Sequence, residues 1–471
     1  MKRKLKSKLN VLLLGLFLPI LSLSAQNDSL YTMSLNEAKD YALKNSPVIK
    51  NAQLDLESAK KKIWETTAIG LPQINAKLSG SYMLTIPDKI KEFSSFSSLG
   101  TWMYGADQAL NGLVPNQGFG YIPAPTATEP TKDSDLKWGA TLDFTASQLI
   151  FSGSYLVGLQ TAKTFRSLSE IALTKSEIDL KQTVASSYYL VLIAEENKHV
   201  LDSTCASTQK LYDEMIQMSK QGFIEETDVD QIKLTLSTLT NTRFMISRQL
   251  EIAYNLLKFQ IGMNLSGKLE LTDQLSSMVE ENKLSEMAIQ PFEVNKTPEI
   301  LLLESQERLS LLNVKYNQST YIPDIAAFYQ HQKNFNNNSF SFTPPDLVGV
   351  AVNIPIFSSG MKHAKVQQAI IQLDKTRTSK EQASQGLILD YERSKNDLLT
   401  ALEKYKTNKE NLKLAEKIYK RTTIKYKEGV STSIDLTQAQ NQYLQSQSNY
   451  FTTTMELLNA KAKMEKLLNQ K

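Results

Sequence analysis

Two stretches of this 471-residue chain read alike: Gln148–Lys163, "QLIFSGSYLVGLQTAK", and Ile354–Ala369, "IPIFSSGMKHAKVQQA". In each, an Ile-Phe-Ser run meets a glycine, and a stretch poor in Gly and Pro follows. Upstream of the first junction, Trp138, Ala140, Leu142, Phe144 and Ala146 alternate with Gly139, Thr141, Asp143, Thr145 and Ser147. Upstream of the second, Val348, Val350, Val352 and Ile354 alternate with Gly349, Ala351 and Asn353. A period of two marks a strand with one apolar and one polar face. Downstream, neither Gly nor Pro occurs between Gly158 and Gly222, which predicts helix throughout. The junction is a strand-to-helix switch, and the chain uses it twice.

Other landmarks repeat at the same spacing. Pro47 precedes Pro72 by 25 residues, and Pro298 precedes Pro323 by 25. Gly153 precedes Gly222 by 69, and Gly360 precedes Gly429 by 69. Asp228 and Asp435 each follow the later glycine by six. This is an internal duplication. The expected division is a leader over residues 1–25, a first repeat over 26–262, a linker over 263–291 and a second repeat over 292–471.

Each repeat is expected to begin with a helix of about 35 residues, roughly 52 Å long. In the first, Ser34 and Glu37 form a capping box, Pro47 marks a break, and Leu71 before Pro72 ends the helix. Two strands follow; in the first, Ile74, Ala76, Leu78, Gly80, Tyr82 and Leu84 share one face. Then comes the long helix, about 68 residues and roughly 100 Å in the first repeat. In the second, Tyr391, Leu398, Tyr405, Leu412, Tyr419 and Tyr426 recur every seven residues, a coiled-coil seam. A return helix of about 34 residues (228–261 and 435–468) closes each repeat. Its length and that of the leading helix together match the long helix, so the two shorter helices are expected to stack beside it.

The N-terminus carries Lys2, Arg3, Lys4, Lys6 and Lys8, then an apolar run from Val11 to Leu23 and a small-residue site at Ser24 and Ala25. This reads as a secretory signal peptide, with no cysteine after it to carry a lipid. Removing those five cations takes the formal charge from +4 to about −1, so nothing supports a nucleic-acid partner. The single cysteine, Cys205, excludes an internal disulfide and reads as a packed small side chain. His199, His331 and His363 are scattered, so no metal site is expected, and no catalytic constellation or cofactor motif appears. The protein is not expected to be an enzyme.

Beyond the leader no apolar run reaches the length of a spanning helix. Insertion into a membrane would therefore use the strands. Four strands with an apolar outer and polar inner face suit a membrane barrel, but four cannot close one. Two copies give eight strands and three give twelve, and strand counting permits either. A soluble sandwich or hairpin cap on a coiled coil is the competing reading, because alternation is equally common there.

The segments "SLNEAKDYALKNSPVI", "GLPQINAKLSGSY", "IFSGS", "KQGFIEETDVDQ", "IPIFSSG" and "YKEGVSTSIDLTQAQNQY" resemble the TolC-type outer-membrane efflux family in order and in duplication. The resemblance spans essentially the whole chain after the leader. It implies a mainly helical fold with a β-barrel portion: long antiparallel coiled-coil helices plus four membrane strands per chain in two repeats. It implies a homotrimer in the outer membrane of a Gram-negative bacterium, extending into the periplasm as a helical tunnel. The implied partners are outer-membrane lipid, a periplasmic adaptor (membrane fusion protein) and an inner-membrane pump of the RND or ABC type. The implied function is a passive exit duct for tripartite efflux or type I secretion. The alternative is a structural or adhesive envelope protein built on an extended coiled coil.

The resemblance also assigns residues. Tyr426, Asp435 and the first-repeat counterpart Asp228 correspond to a lumen-facing gate at the tip. The family's second acid and its basic residue are replaced here by Gln438 and Ser431, so those two contacts do not carry over. From the residues alone, Asp228 and Asp435 read as N-caps with reciprocal capping boxes to Gln231 and Gln438. Gly222 and Gly429 read as left-handed C-caps. Their apolar neighbours Phe223 and Val430 read as local packing within the turn or, as the resemblance implies, as an adaptor contact. Phe151 and Phe357 are expected at the barrel-to-helix junction, with Gly153 and Gly360 absorbing the bend. The glycines follow their phenylalanines at offsets of two and three, so the two bends are expected to differ. The segment from about Thr85 to Leu136 reads as an elaborated extracellular loop.

Overall fold

The computed structural model describes residues 30–82, 84–85, 138–335 and 344–468. The expected leader and nearly all of the Thr85–Leu136 segment lie outside the described residues. The chain divides into two compact units. Unit 1 comprises residues 1–51, 174–297 and 386–471, and unit 2 comprises 52–173 and 298–385. Each unit therefore draws on both sequence repeats.

The repeat is visible element by element. The first has α1 (Leu35–Asn45), α2 (Pro47–Ala68), β2 (Gln73–Tyr82), β3 (Trp138–Phe151), α3 (Gly153–Lys220) and α4 (Glu226–Ile261), preceded by β1 (Leu30–Met33). The second has α7 (Pro298–Ser319), β5 (Asp324–Asn334), β6 (Asp346–Asn353), α8 (Met361–Lys427) and α9 (Ser433–Leu467). Between them, within residues 263–291, lie β4 (Lys268–Leu271) and the short helices α5 (Leu275–Met278) and α6 (Glu281–Met287). The second repeat does not open with a 35-residue helix. Its leading helix is the 22-residue α7, preceded by a 3-10 turn at Val294–Lys296. In the first repeat the break falls at Ser46, where Pro47 starts a new helix without needing an amide donor.

In unit 2 the four strands form one antiparallel sheet in the order β2-β3-β5-β6. Register pairs Ile74 with Ala146, Leu78 with Leu142 and Tyr82 with Trp138 across β2 and β3. It pairs Tyr329 with Val348 and Ala327 with Val350 across β5 and β6. Paired residues share a face, so one face carries Ile74, Leu78, Phe144, Val348, Val350 and Val352, all exposed. The other carries Asn75, Lys77, Ser79, Asp143, Thr145 and Gln332, with Gln332 Nε2 donating to Asp143 Oδ1 at 2.7 Å. The outer strands β2 and β6 each pair on one side only. Among the described residues no helix is long and apolar enough to cross a membrane. Beside the sheet, α7 packs on the first turns of α8 through Val314, Ala369 and Leu373. Glu307 accepts from Lys380 (2.6 Å) and Arg377 (3.1 Å), and these cations hold its carboxyl below the usual range.

In unit 1 the seven-residue seam is a packed core. Tyr391, Leu398 and Tyr405 of α8 are buried against Leu457 and Met464 of α9 and against Leu284 and Met287. The Tyr419 ring stacks on Tyr443 at 5.6 Å. Cys205 is buried with Leu201 and Leu239, as a packed side chain. A parallel pair of strands, β1 and β4, joins Leu30 to Lys268 and Met33 to Leu271. The sequence pattern gives no hint of it, since four residues are too few for a period to register. Asp273 secures it: its Oδ2 accepts from the Leu35 amide at 2.7 Å and lies 2.9 Å from the Tyr188 hydroxyl. The helix break packs tightly too. Gly262, at φ +76°, sits so near Asn45 that a Cβ would lie 2.5 Å from its carbonyl oxygen.

Candidate functional site: the helix turns and the strand-to-helix junctions

Both turns in unit 1 are closed the same way. Gly222 and Gly429 adopt φ +77° and +71°, a conformation that glycine reaches without steric cost. The Phe223 amide donates to the Met218 carbonyl and Gly222 to Ser219. Val430 likewise donates to Lys425, and Gly429 to Tyr426. Both are Schellman caps that satisfy otherwise orphaned carbonyls, as the sequence predicts. Phe223 and Val430 beside them are each 73% exposed.

The acids after the glycines differ from the sequence expectation. Neither is an N-cap. Glu225 caps α4 without a side-chain bond, and Thr432 caps α9. Asp435 is the third helical residue and closes a capping box with Thr432. Its Oδ2 accepts from the Thr432 amide (3.1 Å), the Thr432 hydroxyl (2.8 Å) and the Ser431 hydroxyl (3.2 Å). The Thr432 amide first, then the two hydroxyls, hold its carboxyl below the usual range. The expected partners Gln231 and Gln438 take no part; each helix starts earlier than the sequence reading placed it, with its cap three residues before the Asp, at Glu225 and Thr432.

Asp228 does something else. Its Oδ1 accepts a hydrogen bond from the Ser433 hydroxyl at the start of α9, so it ties the first-repeat turn to the second. Tyr426 is buried in the same cluster with Leu211, Met215, Val229, Ile232 and Leu436. Burial, and then the nearby Asp228 charge, push the Tyr426 phenol up to about 12. Lys427 and Glu214 form an ion pair at 2.5 Å alongside. The structure thus brings Tyr426 and Asp228 together and leaves Asp435 bonded within its own turn. Sequence reasoning missed Ser433, whose only signal is its position next to Thr432 in a Ser- and Thr-rich turn.

The two junctions of unit 2 are built differently. At the second, Ser359 and Gly360 both take positive φ, +47° and +79°, and turn the chain into α8. Gly153 does not absorb a bend: it opens α3 with no left-handed φ, and Ser152 caps the helix by accepting from the Tyr155 amide at 3.3 Å. Space there is tight, since a Cβ would come within 3.1 Å of Ser319 Cβ. Phe151 ends β3 half-exposed, whereas Ile356 and Phe357 are 91% and 87% exposed. Lys362 anchors the second junction by donating to the Thr320 carbonyl at 2.5 Å. The expected inequality of the bends is therefore present, in a sharper form than the offset suggests.

Among the described residues no cluster of His, Cys, Asp and Glu could hold a metal ion. A cavity of about 750 Å³ in unit 1 is lined by Ser394, Lys404, Glu456 and Lys463 among others, and its charges are paired. Lys404 meets Glu456 at 3.4 Å and Lys463 meets Asp390 at 2.8 Å.

Residues 295–470 match the family model described as Outer membrane efflux protein. The match falls on the second of the two expected repeats. Over 341 residues the chain is 21% identical to the outer membrane protein TolC of Vibrio cholerae, covering 68% of this chain and 73% of TolC. Among solved structures, it resembles the outer membrane protein VceC of Vibrio cholerae at a TM-score of 0.66 and 14% identity, over 92% of this chain and 95% of that one. It resembles a membrane protein from Pseudomonas aeruginosa at 0.70 and 15%, over 92% of each. The open-state outer membrane channel MtrE of Neisseria gonorrhoeae gives 0.67 and 15%, over 92% of this chain and 88% of that one. The outer membrane efflux protein fold thus extends over the described chain, and the family is one of non-enzymatic transport channels of the outer membrane.

Proposed function

We propose that three copies of this chain close a twelve-stranded barrel and form a passive exit duct of a tripartite efflux or type I secretion system. One observation carries the reading: a four-stranded sheet, apolar and exposed on one face, polar on the other, with β2 and β6 unpaired at its edges. Unpaired edges are untenable in lipid, so β2 of one copy pairs with β6 of the next. The long helices of the two repeats, 26–262 and 292–471, then supply the periplasmic tunnel. Asp228, Tyr426 and Asp435 lie at its constriction. Phe223 and Val430, apolar and exposed on the turns, meet a periplasmic adaptor that couples the duct to an inner-membrane pump. Phe151, Gly153, Phe357 and Gly360 mark the junction of barrel and helix, at the periplasmic face of the outer membrane. The test is conductance in planar bilayers with electrophoresis of unheated samples. A heat-sensitive oligomer with stepwise single-channel currents is expected; a monomer that never conducts would sink the proposal. Asp435→Ala is expected to change block by divalent cations, and unchanged block removes Asp435 from the gate.

A further inference from the structure

We infer that the apolar face of the sheet, at the loop end of the β5–β6 hairpin, carries a binding site for the phosphate headgroup of an anionic lipid, made by Lys333 and His331. The inference rests on the barrel reading above, in which this face meets lipid.

The register sets out the face in rows. On β5 it carries Ile325, Ala327, Tyr329, His331 and Lys333, every second residue. Val352, Val350, Val348 and Asp346 lie opposite on β6, and Ala146, Phe144 and Leu142 oppose Tyr329, His331 and Lys333 on β3. The first rows are aliphatic. Toward the loop end of β5 and β6 the same face turns to Tyr, His, Lys and Asp, a change from the Ile, Val and Ala of the rows before it. Charges on a lipid-facing surface are costly unless they lie near the interface or find a partner.

The acid is already accounted for. Asp346 Oδ1 accepts from the Tyr329 hydroxyl at 2.7 Å and lies 2.8 Å from His331 Nδ1. That pair is internally compensated, and with Nδ1 engaged the ring's Nε2 is its remaining polar atom. Lys333 is not compensated. Its ammonium lies 5.6 Å from the Phe335 ring, and among the described residues no carboxylate reaches it. Lys333 and His331 stand two residues apart on one strand face, roughly 7 Å along the strand, a span that the oxygens of one phosphate can bridge. At the same end Trp138 pairs with Tyr82, both exposed, and amphipathic rings mark the headgroup level of a membrane. Cation donors at that level, continuous with the exposed aliphatic surface of Val348, Val350 and Leu78, complement a molecule with an anionic head and apolar chains.

The test uses the full-length protein with Trp64→Phe and Trp102→Phe, which leaves Trp138 as the only tryptophan. It is reconstituted in phosphatidylcholine vesicles with a minor fraction of phosphatidylglycerol, brominated on one lipid or the other. Trp138 quenching is expected to show local enrichment of phosphatidylglycerol of about fivefold, the effect of one lysine near an anionic surface. Lys333→Gln should abolish the enrichment and Lys333→Arg should retain it. Equal quenching by both lipids, or enrichment that survives Lys333→Gln, overturns the site. Excess inorganic phosphate should reduce the enrichment by competing for the same cation, and enrichment that ignores it overturns the phosphate as the recognised group. Absence of quenching by either lipid overturns the barrel reading and the site together.

Discussion

Among the described residues four glycines adopt the left-handed conformation, and their surroundings separate two reasons for keeping them. Around Gly222 a Cβ would meet nothing within 4 Å, so only the backbone conformation is at stake. Around Gly262, at nearly the same φ, a Cβ would strike the Asn45 carbonyl. Gly222→Ala should therefore cost about 1–2 kcal/mol, and Gly262→Ala clearly more, read as the larger fall in thermal midpoint of the purified protein. Equal shifts would refute the close approach at Ser46. Asp179 gives a pH dependence. Burial pushes its carboxyl up, but Lys175 and Lys466, at 2.5 and 2.7 Å, outweigh this and leave it below its ordinary 3.8. A depressed acid stabilises the fold above its unfolded value and loses that contribution as pH falls through the folded one. Wild type should thus lose stability below pH 3.8 more steeply than Asp179→Asn in acid melts. At this scale the sequence was only partly legible. The Schellman glycines are visible because αL geometry selects Gly at a helix end. Ser433 and Lys362 are not, because their partners are 205 and 42 residues away.

The seven-residue spacing in α8 separates positions that packing demands from those it does not. Leu398 is fully buried against α9, whereas Leu414 is 57% exposed on the same helix. Leu398→Ala should cost about 2–5 kcal/mol through lost contacts and a residual cavity, and Leu414→Ala within about 0.5 kcal/mol, both read from denaturant midpoints. The elements were the most legible level. Long runs without Gly or Pro, period-two strands and a period-seven seam each state a geometry that the local backbone adopts. Two features stayed hidden for a physical reason. The pairing of β1 with β4 is decided by distant contacts at Asp273, not by either four-residue segment. The contrast between the junctions depends on what lies beside Gly153, which the quoted stretch does not contain.

For the whole molecule, the open edges of the sheet set the question. Within one chain β2 and β6 are three strand spacings apart, roughly 14 Å. A disulfide needs Cα atoms within about 7 Å. Cysteines placed singly at Ile74, Ala76 or Leu78, and in the same chain at Val348, Val350 or Val352, cannot bridge internally. In a Cys205→Ser background, at least one combination should give covalently linked trimers on oxidation, resolved by non-reducing electrophoresis. Monomers alone across the whole set would refute the edge pairing. This level was read from chemistry rather than from pattern: an apolar face with unpaired edges demands closure, but how many copies close it is not written in one chain.

The short parallel sheet has a consequence for the order of assembly. Leu30 finds its partner Lys268 only 238 residues later. Closing so long a loop costs about 5 kcal/mol of chain entropy, and the β1–β4 pair offers few contacts in return. The N-terminal strand therefore waits, unpaired, while the helices of the first repeat form around it. Its docking is a late event that reports completion of that repeat. In pulse-labelled hydrogen exchange during refolding, the amides of β1 and β4 should gain protection after those of α3 and α4; simultaneous protection would show that the strand is captured early. A segment at the front of the chain would thus act as a latch thrown at the end.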